Sequence, residues 1–158
     1  MYRLQVRPKT RFSSDFWIQE GTRNVTLLDL ARLRTRGEFL LEGTSWDVRS
    51  SGLLRREYRL ERDGRVEARA TRVQILPLLY RVHAGDRLLE LRSVPPLRRT
   101  RVLHGGREIG VIAPVRVFSR FATAEFREPL RTEIQVFLIA LALLRWRAQA
   151  RSAGSGGG

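Results

Sequence analysis

The run Val136-Phe137-Leu138-Ile139-Ala140-Leu141-Ala142-Leu143-Leu144 has no polar residue on any face of a helix. A helix that is apolar all round must be enclosed, by protein or by lipid. That requirement governs the whole chain, because almost everything before it reads as short strands. The helix is expected over about 129–151. Pro129 suits a first helical position, and Glu128 and Glu133 suit the N-terminal turn. Arg145, Arg147 and Arg151 lie where cations favour a helix C-terminus. The Gly/Ser-rich end, 152–158, is expected to be a flexible tail. From Ile134 to Trp146 the apolar helix covers roughly 20 Å. A bilayer core needs about 30 Å, and Arg131 and Arg145 stand close on either side. Burial inside a sheet is therefore the expectation, and insertion with snorkelling arginines is the alternative.

Strand signals fill residues 1–126, and the expectation is ten to twelve short strands. Tyr58-Arg59-Leu60-Glu61-Arg62, Asp63-Gly64 and Arg65-Val66-Glu67-Ala68-Arg69-Ala70 alternate apolar and charged residues about a tight turn, the signature of a half-buried hairpin. Two further hairpins turn at Gly85 and at Gly105-Gly106, and weaker copies turn at Gly21 and Gly43. Gly64, Gly85 and Gly106 recur at a spacing of about 21 residues. Regular hairpins of this kind mark a meander. Pro77, Pro95-Pro96 and Pro114 punctuate it. Closure into a barrel would leave no open edge. The fold class expected is thus mainly β: one domain over 1–151, a closed antiparallel barrel of about twelve strands around the hydrophobic C-terminal helix.

Thirty basic residues face sixteen acidic ones, for a net charge of +14, and every basic residue but Lys9 is Arg. Such a field draws nucleic acid, anionic lipid or acidic protein, and guanidinium binds phosphate and carboxylate bidentately. Genomic base composition is the plain alternative, because arginine occurs in nearly every strand. The chain contains no Cys, which excludes disulfides, thiolate metal sites and Cys nucleophiles. No apolar run follows the first charged residues, so a secretory signal is not expected and a cytoplasmic location is. Peripheral membrane association is compatible with it.

One family is similar in pattern. Phe126-Arg127-Glu128-Pro129-Leu130-Arg131-Thr132-Glu133-Ile134, followed by the apolar run and Arg145-Trp146-Arg147, resembles the polar approach and buried helix of the tubby C-terminal-like superfamily. Its branches include the LURP-one-related proteins and the phospholipid scramblases. The hairpin at 57–68 and the segment Gly106-Arg107-Glu108-Ile109-Gly110-Val111-Ile112 are also similar to family hairpins. The resemblance covers about residues 16–147. It implies a barrel of about twelve strands around the helix, and in some members a phosphoinositide- or membrane-binding role. The chain departs from the scramblases in lacking Cys, a Pro-rich N-terminal segment and an acidic Ca²⁺ loop.

Enzymatic signatures are absent: there is no G-x-S-x-G, no P-loop and no dinucleotide fingerprint. His83 and His104 both precede hairpin turns, and two histidines without a carboxylate pattern make a poor metal site. No catalytic residue, metal or cofactor is expected. The basic clusters remain. Residues 91–124 hold seven arginines against Glu108 alone. Arg98, Arg99, Arg101, Arg55, Arg56 and Arg120 are the candidate lipid- or anion-binding residues, with Trp146 either an interfacial anchor or a plug. The expected function is a non-enzymatic module binding anionic phospholipid or membrane surfaces. A basic nucleic-acid-binding protein and a protein-interaction scaffold are the alternatives.

Overall fold

The structure, a computed structural model, describes residues 1–11, 13–30, 36–51, 57–75, 77–93, 98–116 and 119–155. Twelve strands precede one helix. They are β1 (Tyr2–Pro8), β2 (Asp15–Glu20), β3 (Arg23–Leu30), β4 (Arg36–Leu41), β5 (Thr44–Ser51), β6 (Glu57–Arg62), β7 (Arg65–Gln74), β8 (Leu78–Ala84), β9 (Arg87–Ser93), β10 (Thr100–His104), β11 (Arg107–Pro114) and β12 (Ala122–Phe126), followed by α1 (Thr132–Ser155). Each strand pairs antiparallel with its neighbours in sequence, and β1 pairs with β12 to close the barrel, Leu4 opposite Ala124. The expected closed barrel with a C-terminal helix is the observed fold.

Alternation builds the wall. In β6, Tyr58 and Leu60 point inward while Glu57, Arg59 and Glu61 face out. Strands with one apolar face close when that face has something to cover, and here it is the helix. Val136, Phe137, Leu138, Ile139 and Ala140 are each fully buried, and the core joins them to inward residues of every strand from Leu4 to Phe126. Each large apolar side chain enclosed this way contributes about 1.5–3 kcal/mol. The outer face carries arginine and carboxylate, the reverse of the apolar outer band of a membrane-spanning barrel. Among the described residues no helix is long and apolar enough to cross a membrane.

Two polar side chains buried with the core are satisfied locally. Thr26 Oγ1 donates to the Leu40 carbonyl at 2.6 Å, and Gln135 Nε2 donates to the Leu130 carbonyl at 2.9 Å.

The helix differs from expectation at both ends. It begins at Thr132, with Gln135 N–H bonded to the Arg131 carbonyl at 3.1 Å, so Pro129 lies in the approach rather than in the first turn. Glu128 is drawn away to side chains of the barrel wall, as described below, and Glu133 is the acid of the first turn. At the other end the helix runs on to Ser155, about a turn past Arg151, through a segment expected to be flexible. Its last turn therefore holds no basic residue.

Candidate functional site

Strict up-and-down topology sorts the connections onto two rims. One rim has five two-residue turns: Gly21-Thr22, Glu42-Gly43, Asp63-Gly64, Gly85-Asp86 and Gly105-Gly106. In Asp63-Gly64 both residues adopt positive φ, 52° and 76°, as a type I′ turn requires. The linker from β12 into α1 is on this rim too. The other rim joins β1–β2, β3–β4, β5–β6, β7–β8, β9–β10 and β11–β12 through three to seven residues each. The C-terminal part of the buried helix reaches this second rim, where Arg147 Nη2 donates to the carbonyl of Leu30, the last residue of β3, at 3.4 Å.

The rims differ in charge. The six longer connections contain ten basic residues, Lys9, Arg11, Arg32, Arg34, Arg55, Arg56, Arg98, Arg99, Arg116 and Arg120, and no acidic one. The five tight turns contain three acids, Glu42, Asp63 and Asp86, and no base, while the linker into α1 on the same rim carries Arg127, Glu128 and Arg131.

The structure treats the six candidate residues differently. Arg98 and Arg99 immediately precede β10; Arg98 is half-buried and Arg99 exposed, and neither forms an ion pair among the described residues. Arg101 faces outward one residue into β10, and its Nε lies 2.6 Å from Glu108 on β11, so its charge is largely answered. Arg120 is a clamp across the rim: its guanidinium donates to the carbonyls of Arg11 and Ser13 and stacks 5.4 Å from the Phe16 ring. Arg55 and Arg56 lie outside the described residues. Exposed Ile75, Val115 and Phe121 also belong to this rim, two of them chain neighbours of Arg116 and Arg120. Trp146 is buried with the core instead of projecting as an anchor.

Along the outer wall, from the long-connection rim inward, register creates an arrangement not legible in the chain. Asp15, Asp29, Glu38, Asp47 and Glu61 stand directly opposite one another across β2 to β6. Beside this acidic row, Arg36, Arg49, Arg59 and Arg69 form a basic one across β4 to β7. Like charges face each other along each row, and opposite charges meet on the diagonal: Arg36–Asp47 at 3.3 Å and Arg49–Glu61 at 3.4 Å. Exposed pairs of this kind contribute about 0.2–1 kcal/mol each. At the unanswered end, burial and then the carboxyls of Asp15 and Glu38 push Asp29 above its usual pKa, with Lys9 opposing.

On the tight-turn rim, Glu128 gathers three side chains. His104 Nδ1 lies 3.2 Å from one carboxylate oxygen, Arg107 donates to the other, and Arg87 approaches at 3.9 Å. Arg87 also donates to the Pro129 carbonyl at 3.2 Å. The hydrogen bonds from His104 and then Arg107 hold the Glu128 carboxyl below its usual pKa. This is a latch fastening the helix approach to two hairpins. His83 is exposed opposite Arg69 on β7, so the two histidines serve no common site. Among the described residues no group of three or more His, Asp and Glu side chains is placed to hold a metal ion.

No protein-family model matches this chain, and no curated protein or solved structure is significantly similar to it.

Proposed function

We propose that the chain is a non-enzymatic, tubby-like barrel module that binds anionic phospholipid surfaces through its long-connection rim. The observation that carries this reading is the segregation of charge: ten basic and no acidic residues in six connections, against three acids and no base in the five turns opposite. A basic face gains about 1 kcal/mol per Lys or Arg held near an anionic membrane. Ile75, Val115 and Phe121 favour lipid over nucleic acid, because exposed apolar side chains beside arginine gain from an acyl interface and gain little from a phosphate backbone. The family reading rests on the architecture and the hydrophobic pattern of the helix.

Vesicle co-sedimentation tests the proposal, with anionic against neutral lipid at low and physiological salt and with DNA as competitor. Retention on anionic vesicles at physiological salt, despite DNA, is the expected result. Replacing Arg98, Arg99 and Arg116 together by Ala should then weaken binding by about a hundredfold. Replacing Arg23 and Arg65 at the opposite rim should not. Equal loss from both sets would overturn the rim assignment. Displacement by DNA would favour the nucleic-acid reading.

A further inference from the structure

Arg145 is the one basic residue of the buried stretch of the helix, and it meets no acid. Among the described residues, which include all sixteen acidic ones, none forms an ion pair with it, and its Nε is buried without a hydrogen-bond partner. The residue as a whole is half-buried, but a polar atom buried without a partner is costly, and native structures pair such atoms. Beside it stands Tyr80, 2% exposed, whose hydroxyl is also enclosed without a partner of good geometry. Both line a small recess between the helix and the inner faces of β8, β9 and β10. Ser93 and Thr100, 8% and 6% exposed, are cross-strand partners and also line it. Leu91 and Leu141 supply apolar wall. The recess is partly open and admits one water-sized group.

Its place in the fold points to a ligand from outside. Ser93 ends β9 and Thr100 begins β10, so the recess belongs to the long-connection rim, with Arg98 and Arg99 next in the chain. The helix dipole does not oppose an anion there. Arg145 lies ten residues, about 15 Å, before the helix end at Ser155, and the dipole acts only within the last turn.

We propose that this recess is a phosphate site that takes one anionic oxygen of a phosphate monoester between the Arg145 guanidinium and the Tyr80 hydroxyl. The remaining oxygens stay at the mouth, within the field of Arg98 and Arg99. For a lipid headgroup as the source the proposal rests on the rim reading given above. For a free phosphate it does not.

The experiment has two arms on one set of proteins. In the first, inorganic phosphate is titrated calorimetrically into the full chain, into Tyr80→Phe and into Arg145→Gln. Saturable binding is expected in the parent chain, weakened about tenfold or more in Tyr80→Phe and lost in Arg145→Gln. Tyr80→Phe keeps the ring and removes an unpartnered hydroxyl, so its thermal midpoint should be unchanged or higher and misfolding cannot mimic the loss. In the second arm, vesicles of phosphatidic acid, a phosphomonoester, are compared with phosphatidylserine vesicles matched for surface potential. A preference for phosphatidic acid that Tyr80→Phe removes identifies the lipid source. Phosphate binding without vesicle binding upholds the recess with a soluble source and sinks the rim. Equal binding to both vesicles with no phosphate binding upholds the rim and overturns the recess, which then holds an ordered water only. Phosphate binding unaffected by Tyr80→Phe overturns it as well.

Discussion

The two rims are closed by different means. At the tight-turn rim each hairpin needs two residues, and positive φ at Asp63-Gly64 or Gly105-Gly106 matches the turn to the twist of its strands. Glu128 then ties the helix approach to the same rim through His104, Arg107 and Arg87. At the opposite rim the connections are longer, carry only positive charge, and are braced at separate points, as where Arg120 bridges to the β1–β2 connection. The lesson is a division of labour within one sheet. Local turn chemistry builds one end, which leaves the other free to vary in length and charge without disturbing register. Function concentrates on connections that a rigid scaffold supports.

The largest effect expected of a single added methyl group separates the rims by packing. Gly110 lies in β11 opposite Phe126, the last residue before the helix approach. A Cβ there would meet the Phe126 ring at 2.7 Å and the Glu125 carbonyl at 2.9 Å. Gly110→Ala should cost about 1–3 kcal/mol, as overpacking does. Gly37, next to the β3–β4 connection, is the counterpart on the other rim. Its Cβ would come to 3.0 Å from a terminal methyl of Leu30, a group able to rotate away, and 3.3 Å from the Asp29 carbonyl. Gly37→Ala should cost less than about 1 kcal/mol, since replacing a strand glycine also recovers chain entropy. Denaturant midpoints measure both, and comparable losses would break the contrast.

A smaller effect concerns loop length. Two glycines inserted between Asp63 and Gly64 double a two-residue connection and abolish its turn type. About 1 kcal/mol should be lost. The same insertion between Arg98 and Arg99 lengthens a six-residue connection, at about 0.3 kcal/mol by loop-closure entropy. Thermal midpoints of the two insertions check the difference, and equal shifts would mean that the long connections are as constrained as the short ones.

Much of the barrel is legible in the chain because its determinants are local. Alternation shows the faces of Tyr58 and Leu60, the glycines of the turns show where strands reverse, and an all-apolar helix demands enclosure. What escapes is whatever depends on register or on the helix's rotation. The closing contact of Leu4 with Ala124 joins chain ends that no local pattern links. The row from Asp15 to Glu61 exists only because five strands share one stagger, which a period of two leaves open. Arg98 and Arg99 were readable as rim residues from Pro95-Pro96. That Arg101 is answered by Glu108 and that Arg120 is a clamp follow from cross-strand contacts. Tyr80 and Arg145 carry no motif; they meet because the helix turns Arg145 toward β8. A basic residue one step beyond an all-apolar run was the available signal. Glu128 misled because an acid beside Pro129 suits a helix start, and the wall outbid the helix for it.

The smallest effect is one of sign. Glu128, on the tight-turn rim, has its folded pKa lowered from 4.5 by His104 and Arg107. Its contribution to stability is therefore present above pH 4.5 and is lost as pH falls through the lowered folded value. Asp29, near the other rim, has its folded pKa raised from 3.8 by burial and by its carboxyl neighbours. Its contribution is present below pH 3.8 and is lost as pH rises through the raised folded value. Opposite consequences follow for substitution. Glu128→Gln should lower the thermal midpoint at pH 7 and have little effect well below pH 4. Asp29→Asn should raise the midpoint at pH 7, because it removes a like charge facing Asp15 and Glu38, and this gain should fade toward pH 3. Thermal melts of both variants from pH 3 to 7 decide the matter. Curves that diverge from the parent in opposite directions as pH rises place an answered carboxylate at one end of the barrel and an unanswered one at the other. Curves that shift in the same direction would mean that the lone acidic end of the row is compensated by basic residues of the long-connection rim, and that the positive field there already reaches Asp29.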